Sequence, residues 1–204
     1  MVYNYLKLKH KENNSLFFMK NEKVYSLSKK IGLNIRNINF LNILNLRGDY
    51  KSSSFQKSFK NIFDIQVPKK VGFFSNNKDL ILISLGPNEI LMVNINSKNL
   101  LSKKNYYNSL EKICFVTEVS DHYHCLNLSG DKLRWILSKG CPVDLDETSF
   151  YPGRCFQTLL GNSNIIMICN EDSSINIICI ASYADYILSW LKDASQEHGY
   201  NYFS

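Results

Sequence analysis

A chain of 204 residues that is 45% hydrophobic and 21% charged, with a formal net charge of +6, can bury one substantial core or two small ones, which excludes a disordered chain. No run of about 18 apolar residues occurs, the length a helix needs to cross a bilayer, so no membrane partner is expected. The Lys residues are scattered through 7–30, 51–78 and 98–112 without the clustered Arg and aromatics of a nucleic-acid face, so no nucleic acid is expected either.

Residues 1–39 read as an N-terminal extension packed on or flanking a domain over 40–204. The opening MVYNYLKLKHKENNSLFF alternates apolar residues with Lys and lacks the pattern of a cleaved leader, so a cytoplasmic location is expected. From FLNILNLRG (40–48) a strand is predicted. Asp49 and Ser52 to Ser54 follow as capping residues, then a helix carrying Phe55, Phe59 and Ile62 on one side. DLILISLG (79–86), a turn at Gly86-Pro87-Asn88 and EILMVNI (89–95) predict a hairpin, and 97–112 a helix capped by Ser97.

The second half runs in the same order. HCLNLSG (124–130) is a strand, and DKLRWILSKG (131–140) a short helix with Leu133, Ile136 and Leu137 inward and Gly140 as its stop. After the loop CPVDLDETSFYPG (141–153) come strands over 154–160, 163–170 and 174–180. A last helix is predicted from Ser182, with its hydroxyl accepting from the Asp185 amide, through a stripe of Tyr183, Ile187, Trp190, Leu191 and Ala194 to Gly199. LNLRGD (44–49) and LNLSGD (126–131) mark the same point in each half, the turn from strand to helix. The predicted fold class is α+β, in two pseudo-repeated strand-helix-strand-strand-helix halves.

Candidate chemistry is sparse. The six cysteines lie ten or more residues apart among apolar neighbours, which suits reduced, buried thiols and neither a disulfide framework nor a zinc knuckle. His122 and His124, two apart on an expected strand, could share a face toward a metal but have no third ligand at readable spacing. Cys141 has only Lys139 nearby to activate it. Asp144 and Asp146 suit capping of loop amides, and Trp135 and Trp190 suit a core or subunit interface. Each hexapeptide has one glycine, too few for a phosphate-cradling loop.

The run LSKGCPVDLDETSFYPGRCFQTLLG (137–161), followed by SYADYILSWLKDA (182–194), resembles the gamma subunits of heterotetrameric sarcosine oxidase. Gly140, Cys141, Pro142, Asp144, Phe150, Pro152, Gly153, Ser182, Asp185, Tyr186 and Trp190 occupy the family's places, and upstream SLGPNEILMV supplies Gly86, Pro87 and Glu89 and LNLSGD supplies Gly130. Ile90, Val143, Glu118, Tyr151 and Arg154 depart from the pattern. The resemblance covers about 40–200 and implies a fold like the folate-binding aminomethyltransferase domain, with ferredoxin-like halves.

It further implies a non-catalytic structural subunit of an oxidoreductase complex, serving tetrahydrofolate-linked demethylation of sarcosine to glycine in sarcosine catabolism and one-carbon metabolism. No catalytic, cofactor or metal residue is implied in this chain, since FAD, FMN, NAD, tetrahydrofolate and zinc would sit on other subunits. The implied partners are the alpha, beta and delta chains, chiefly alpha, with the 141–153 loop expected at that contact and Phe150 at a packed contact or in the core. The equivalent subunit of N-methylglutamate dehydrogenase is the nearest alternative, and a small basic folate- or nucleic-acid-binding module the alternative of a different class.

Overall fold

A computed structural model describes residues 20–26, 30–38, 42–95 and 104–204. In chain order the elements are β1 (Glu22–Tyr25), β2 (Leu33–Ile38), β3 (Asn42–Arg47), α1 (Ser53–Phe63), β4 (Phe74–Asn76), β5 (Leu80–Gly86), β6 (Glu89–Asn94), α2 (Lys104–Glu111) and β7 (Phe115–Glu118). They continue with β8 (Tyr123–Ser129), α3 (Leu133–Ser138), β9 (Cys155–Leu160), β10 (Ser163–Cys169), β11 (Ile175–Ile180), α4 (Ala184–Ser195) and β12 (Gly199–Phe203). The chain forms two compact units, one of 1–39, 121–152 and 157–204, the other of 40–120 and 153–156.

In the second unit five strands run β4-β5-β6-β3-β7, every pairing antiparallel. Helix α1 starts where the Ser52 hydroxyl accepts from the Phe55 amide at 3.2 Å, and it ends where Asp64 turns left-handed at φ 51. Between those limits the aromatics recur every four residues, so Phe55, Phe59 and Phe63 line one face. That face packs on Leu44, Leu46, Leu80, Leu82, Ile90 and Met92 of the sheet. Ile62, expected on this stripe, is only partly buried and Phe63 takes its place. The predicted cap Ser97 lies outside the described residues.

In the first unit seven strands run β1-β12-β2-β8-β11-β10-β9. β12 lies parallel to β2, whereas β1–β12, β2–β8, β8–β11 and β10–β11 are antiparallel. Both β10 and β11 are buried over nearly their whole length, which is why they read as continuous apolar runs and not as alternating strands.

The two hexapeptides occupy equivalent places, β3 leading through Gly48-Asp49 toward α1 and β8 through Gly130-Asp131 toward α3. Their registers agree as well. Leu46 lies between Ile90 on β6 and Val116 on β7, and its repeat equivalent Leu128 lies between Ile175 on β11 and Ile35 on β2. The strand just before each hexapeptide strand is therefore exchanged: β2 precedes β3 but pairs with β8, and β7 precedes β8 but pairs with β3. The halves form an intertwined α+β fold, and the exchanged strands β2 and β7, with β1, β4 and β12, are additions to the elements read from sequence.

The last helix corrects the expected start. Residues Ala181–Tyr183 form a 3-10 turn, α4 begins at Ala184, and no side chain caps it, so Ser182 is an exposed turn residue and not an N-cap. Asp185 in the first turn instead faces the positive end of the helix dipole.

Candidate functional site

The residues that carry the family pattern fall into groups in separate units. In the second unit, Gly86 and Pro87 form the β5–β6 turn, and Glu89 just beyond it pairs with Arg47 at 2.9 Å and accepts from Asn45 Nδ2 at 2.7 Å. The Gly48 amide donates to the Asn88 carbonyl at 3.1 Å, which ties this turn to the first hexapeptide. Gly153, at φ +92 with open space around its Cα, needs its glycine for backbone conformation alone.

In the first unit Gly140, Tyr186 and Trp190 meet around a second glycine, Gly161. A Cβ on Gly140 would strike the six-membered ring of Trp190, and one on Gly161, at φ +58, would strike Tyr186 Oη. The Gly161 amide donates to the Gly140 carbonyl at 2.9 Å, and the Asn162 amide donates to Tyr186 Oη at 3.0 Å. Helix α4 is thus seated against the β9–β10 turn by close approach of two backbones to one indole. Gly140 is present for that approach, since its φ is not left-handed and Lys139 closes α3 in ordinary helical geometry.

The 141–153 loop is held from α3 by a residue absent from the sequence reading. Arg134 donates through Nη1 to the Leu145 carbonyl at 2.5 Å and through Nη2 to the Phe150 carbonyl at 2.9 Å, with Cys169 Sγ 3.7 Å away. A lone Arg within an apolar helix was the available signal. Within the loop the Asp144 carboxylate accepts from the Ser149 hydroxyl and, at 2.9 Å, the Asp146 amide; that of Asp146 accepts from the Thr148 amide and hydroxyl at 2.9 and 2.7 Å. These hydrogen bonds, side-chain ones foremost, hold both carboxyl groups below the usual aspartate range. They are fixed anions shaping a loop, not an acid and base pushed apart. Pro142 and Pro152 are exposed on it. We predict that Arg134→Ala will cost about 3 kcal/mol, because two charge-assisted hydrogen bonds go and inward carbonyls lose partners. Urea unfolding of Arg134→Ala and Arg134→Lys checks this, with Lys recovering only part because it cannot span both carbonyls.

Phe150, expected at a packed contact or in the core, is 0% exposed. It belongs to the interior of its own unit. Trp135, expected in a core or interface, is 47% exposed, with Lys139 Nζ 4.0 Å above its ring and His198 edge-on at 4.7 Å.

The histidine pair also separates. His122 ends a 3-10 turn at the surface, while His124 sits within β8, 6% exposed and with Nε2 unpaired among the described residues. They share no strand face, and no group of three His, Cys, Asp or Glu that could hold a metal occurs among the described residues. Burial pushes His124 down to about 4 from 6.5. The unfolded chain therefore binds this proton first as the pH falls. Stability is full above about pH 6.5 and declines by about 3 kcal/mol on the way to pH 4. Denaturant midpoints across that range check this, and His124→Gln should flatten the slope.

All six cysteines are free thiols, five of them buried. Burial raises Cys155 and Cys179 to about 12 and Cys114 to about 11, and drives Cys125 and Cys169 upward as well. Cys141 Sγ lies 3.9 Å from Thr158 Oγ1. The five raised thiols stay protonated and act as small apolar side chains. No described helix is long and apolar enough to cross a membrane.

Comparison with known proteins accords with this arrangement. The model of the sarcosine oxidase, gamma subunit family matches residues 47–197. Sarcosine oxidase subunit gamma from Corynebacterium sp. (strain U-96) is 30% identical over 82 residues, and that from Arthrobacter sp 28% identical over 82 residues, each alignment covering 40% of both chains. The chain thus aligns with less than half the length of these curated relatives. Among solved structures, a chain of the heterotetrameric sarcosine oxidase from Corynebacterium sp. U-96 in complex with pyrrole 2-carboxylate superposes with a TM-score of 0.73 at 24% identity, over 82% of this chain and 88% of that one. The glycine cleavage system aminomethyltransferase T from Bartonella henselae gives 0.61 at 13% identity, over 96% of this chain and 50% of that one. At these identities the structural likeness is one of fold.

Proposed function

Because the chain belongs to the sarcosine oxidase gamma subunit family, we propose that it is a non-catalytic structural subunit of a cytoplasmic heterotetrameric sarcosine oxidase. In this reading the alpha, beta and delta chains hold FAD, FMN, NAD, tetrahydrofolate and zinc and perform the demethylation of sarcosine, and this chain docks chiefly on alpha. The observation that carries the reading is the use to which the family-pattern residues are put. Gly140, Tyr186 and Trp190 seat a helix, Asp144 shapes a loop, and Glu89 pairs with Arg47 beside a hairpin turn.

The donor set supports the same reading for zinc, since burial pushes the Cys114, Cys125, Cys155, Cys169 and Cys179 thiols toward their protonated forms. Co-expression of the four chains tests the proposal. The chain is expected to purify with the other three, and omitting it should lower the yield of assembled, sarcosine-oxidising complex. Purified alone, it should oxidise no sarcosine. A stoichiometric flavin spectrum or bound zinc on the lone chain would overturn the non-catalytic reading, and a stable monomer that ignores its co-expressed partners would overturn the subunit reading.

A further inference from the structure

The formal charge is divided unequally between the two units. Among the described residues the second unit holds ten Lys and Arg against six Asp and Glu, and the first holds eight against eleven. In the second unit, Lys51, Lys57, Lys60, Lys69, Lys70 and Lys78 are all exposed, with only Asp64 and Asp79 as acids in the same stretch.

Helix α1 explains part of the grouping. It turns Phe55, Phe59 and Phe63 inward, which leaves Lys57 and Lys60 as neighbours one turn apart on its outer side. Neither forms an ion pair within the described residues, nor do Lys69 and Lys70 just beyond the helix. Adjacent unpaired like charges repel one another and disfavour the isolated fold slightly, and an opposing field would relieve them.

We infer that these exposed lysines of the second unit dock on a carboxylate-rich surface of a partner protein chain and steer assembly of the complex. The inference rests on the subunit reading above and adds the surface and the charge of its counterpart. A polynucleotide is the less suitable occupant. Of the aromatics of this segment, Tyr50, Phe55, Phe59 and Phe63 are buried, and Phe73 and Phe74 are half-buried with Phe73 already under Arg154, so a stacking platform for bases is poorly provided. The unit's two arginines are also engaged, Arg47 with Glu89 and Arg154 over the rings of Phe73 and Phe156.

The test measures association of the purified full-length chain with the assembled alpha, beta and delta chains at low and high salt. It compares wild type with a variant carrying Lys57→Glu, Lys60→Glu, Lys69→Glu and Lys70→Glu and with one carrying Arg at the same four positions. All four side chains are exposed, so circular dichroism should find the three forms equally folded. Steering predicts a wild-type association rate that falls steeply with salt, a loss of about tenfold or more for the Glu variant at low salt, convergence of the two at high salt, and retention by the Arg variant. Association of wild type and the Glu variant at equal rates would overturn this inference and leave the subunit reading standing. No association of wild type at either salt would overturn both. Submicromolar, salt-sensitive binding of a single-stranded polynucleotide by the wild-type chain, abolished in the Glu variant, would overturn it in favour of nucleic acid.

Discussion

Gly130→Ala is expected to destabilise the chain by about 4 kcal/mol, whereas Gly48→Ala, at the matching position of the other hexapeptide, should cost about 1 kcal/mol or less. The letters are the same and the surroundings are not. Gly130 sits at φ +136, and a Cβ there would overlap the Gly32 carbonyl oxygen and come within 3.0 Å of Gly32 C and 3.1 Å of Leu33 Cα. Those atoms are backbone at the start of β2, which the sheet holds in place, so they cannot withdraw as a side chain could. Gly48 has no left-handed φ, and its added Cβ would meet the side chain of Cys114 at 3.1 Å, a contact that a small shift relieves. Denaturant unfolding of the two single variants beside wild type separates the cases. Equal losses would mean that the exchanged strand β2 does not approach the second hexapeptide turn as described.

Phe150→Asp should abolish folding of the first unit, at a cost above about 5 kcal/mol, comparable to the whole stability of a small domain. The ring is completely buried, its carbonyl is one of the two gripped by Arg134, and its amide donates to the Asp146 carbonyl at 2.8 Å. A carboxylate at this position would be cut off from water, and the Arg134 guanidinium, 5.9 Å from the ring centroid, is already committed to backbone oxygens. Phe150→Leu, which keeps the site apolar, should retain the fold with a loss of about 1–2 kcal/mol. Circular dichroism and limited proteolysis of the two variants distinguish this outcome from an interface defect. A folded Phe150→Asp chain that merely failed to assemble would show that the side chain faces a partner.

Much of the local structure was legible in the residues themselves. The cap at Ser52, the inward Phe55 and Phe59, the hairpin turn at Gly86-Pro87-Asn88 and the apolar runs of β10 and β11 each depend on a dozen or fewer neighbouring residues. The repeated hexapeptide was likewise sufficient to place both strand-to-helix turns and the duplicated α+β order. Periodicity and capping are short-range, so a sequence carries them directly.

What the sequence left open is long-range in every case. β2 and β7 are short, with little alternation to reveal them, and their partners lie on the opposite repeat, so only the assembled sheets determine that these strands are exchanged. The same holds for side-chain roles. Arg134 is an ordinary letter in a short helix until folding brings the carbonyls of Leu145 and Phe150 to it, and Gly48 and Gly130 are one motif until β2 closes over only the second. His122 and His124 stand two apart in the chain, yet a 3-10 turn leaves one at the surface and the start of β8 buries the other. The sequence by itself determined which elements form and in what order, because local sterics and hydrophobic spacing set them. Which faces are buried, which glycines cannot be replaced and which strands pair depended on contacts between residues scores of positions apart, and those exist only once the tertiary structure has formed.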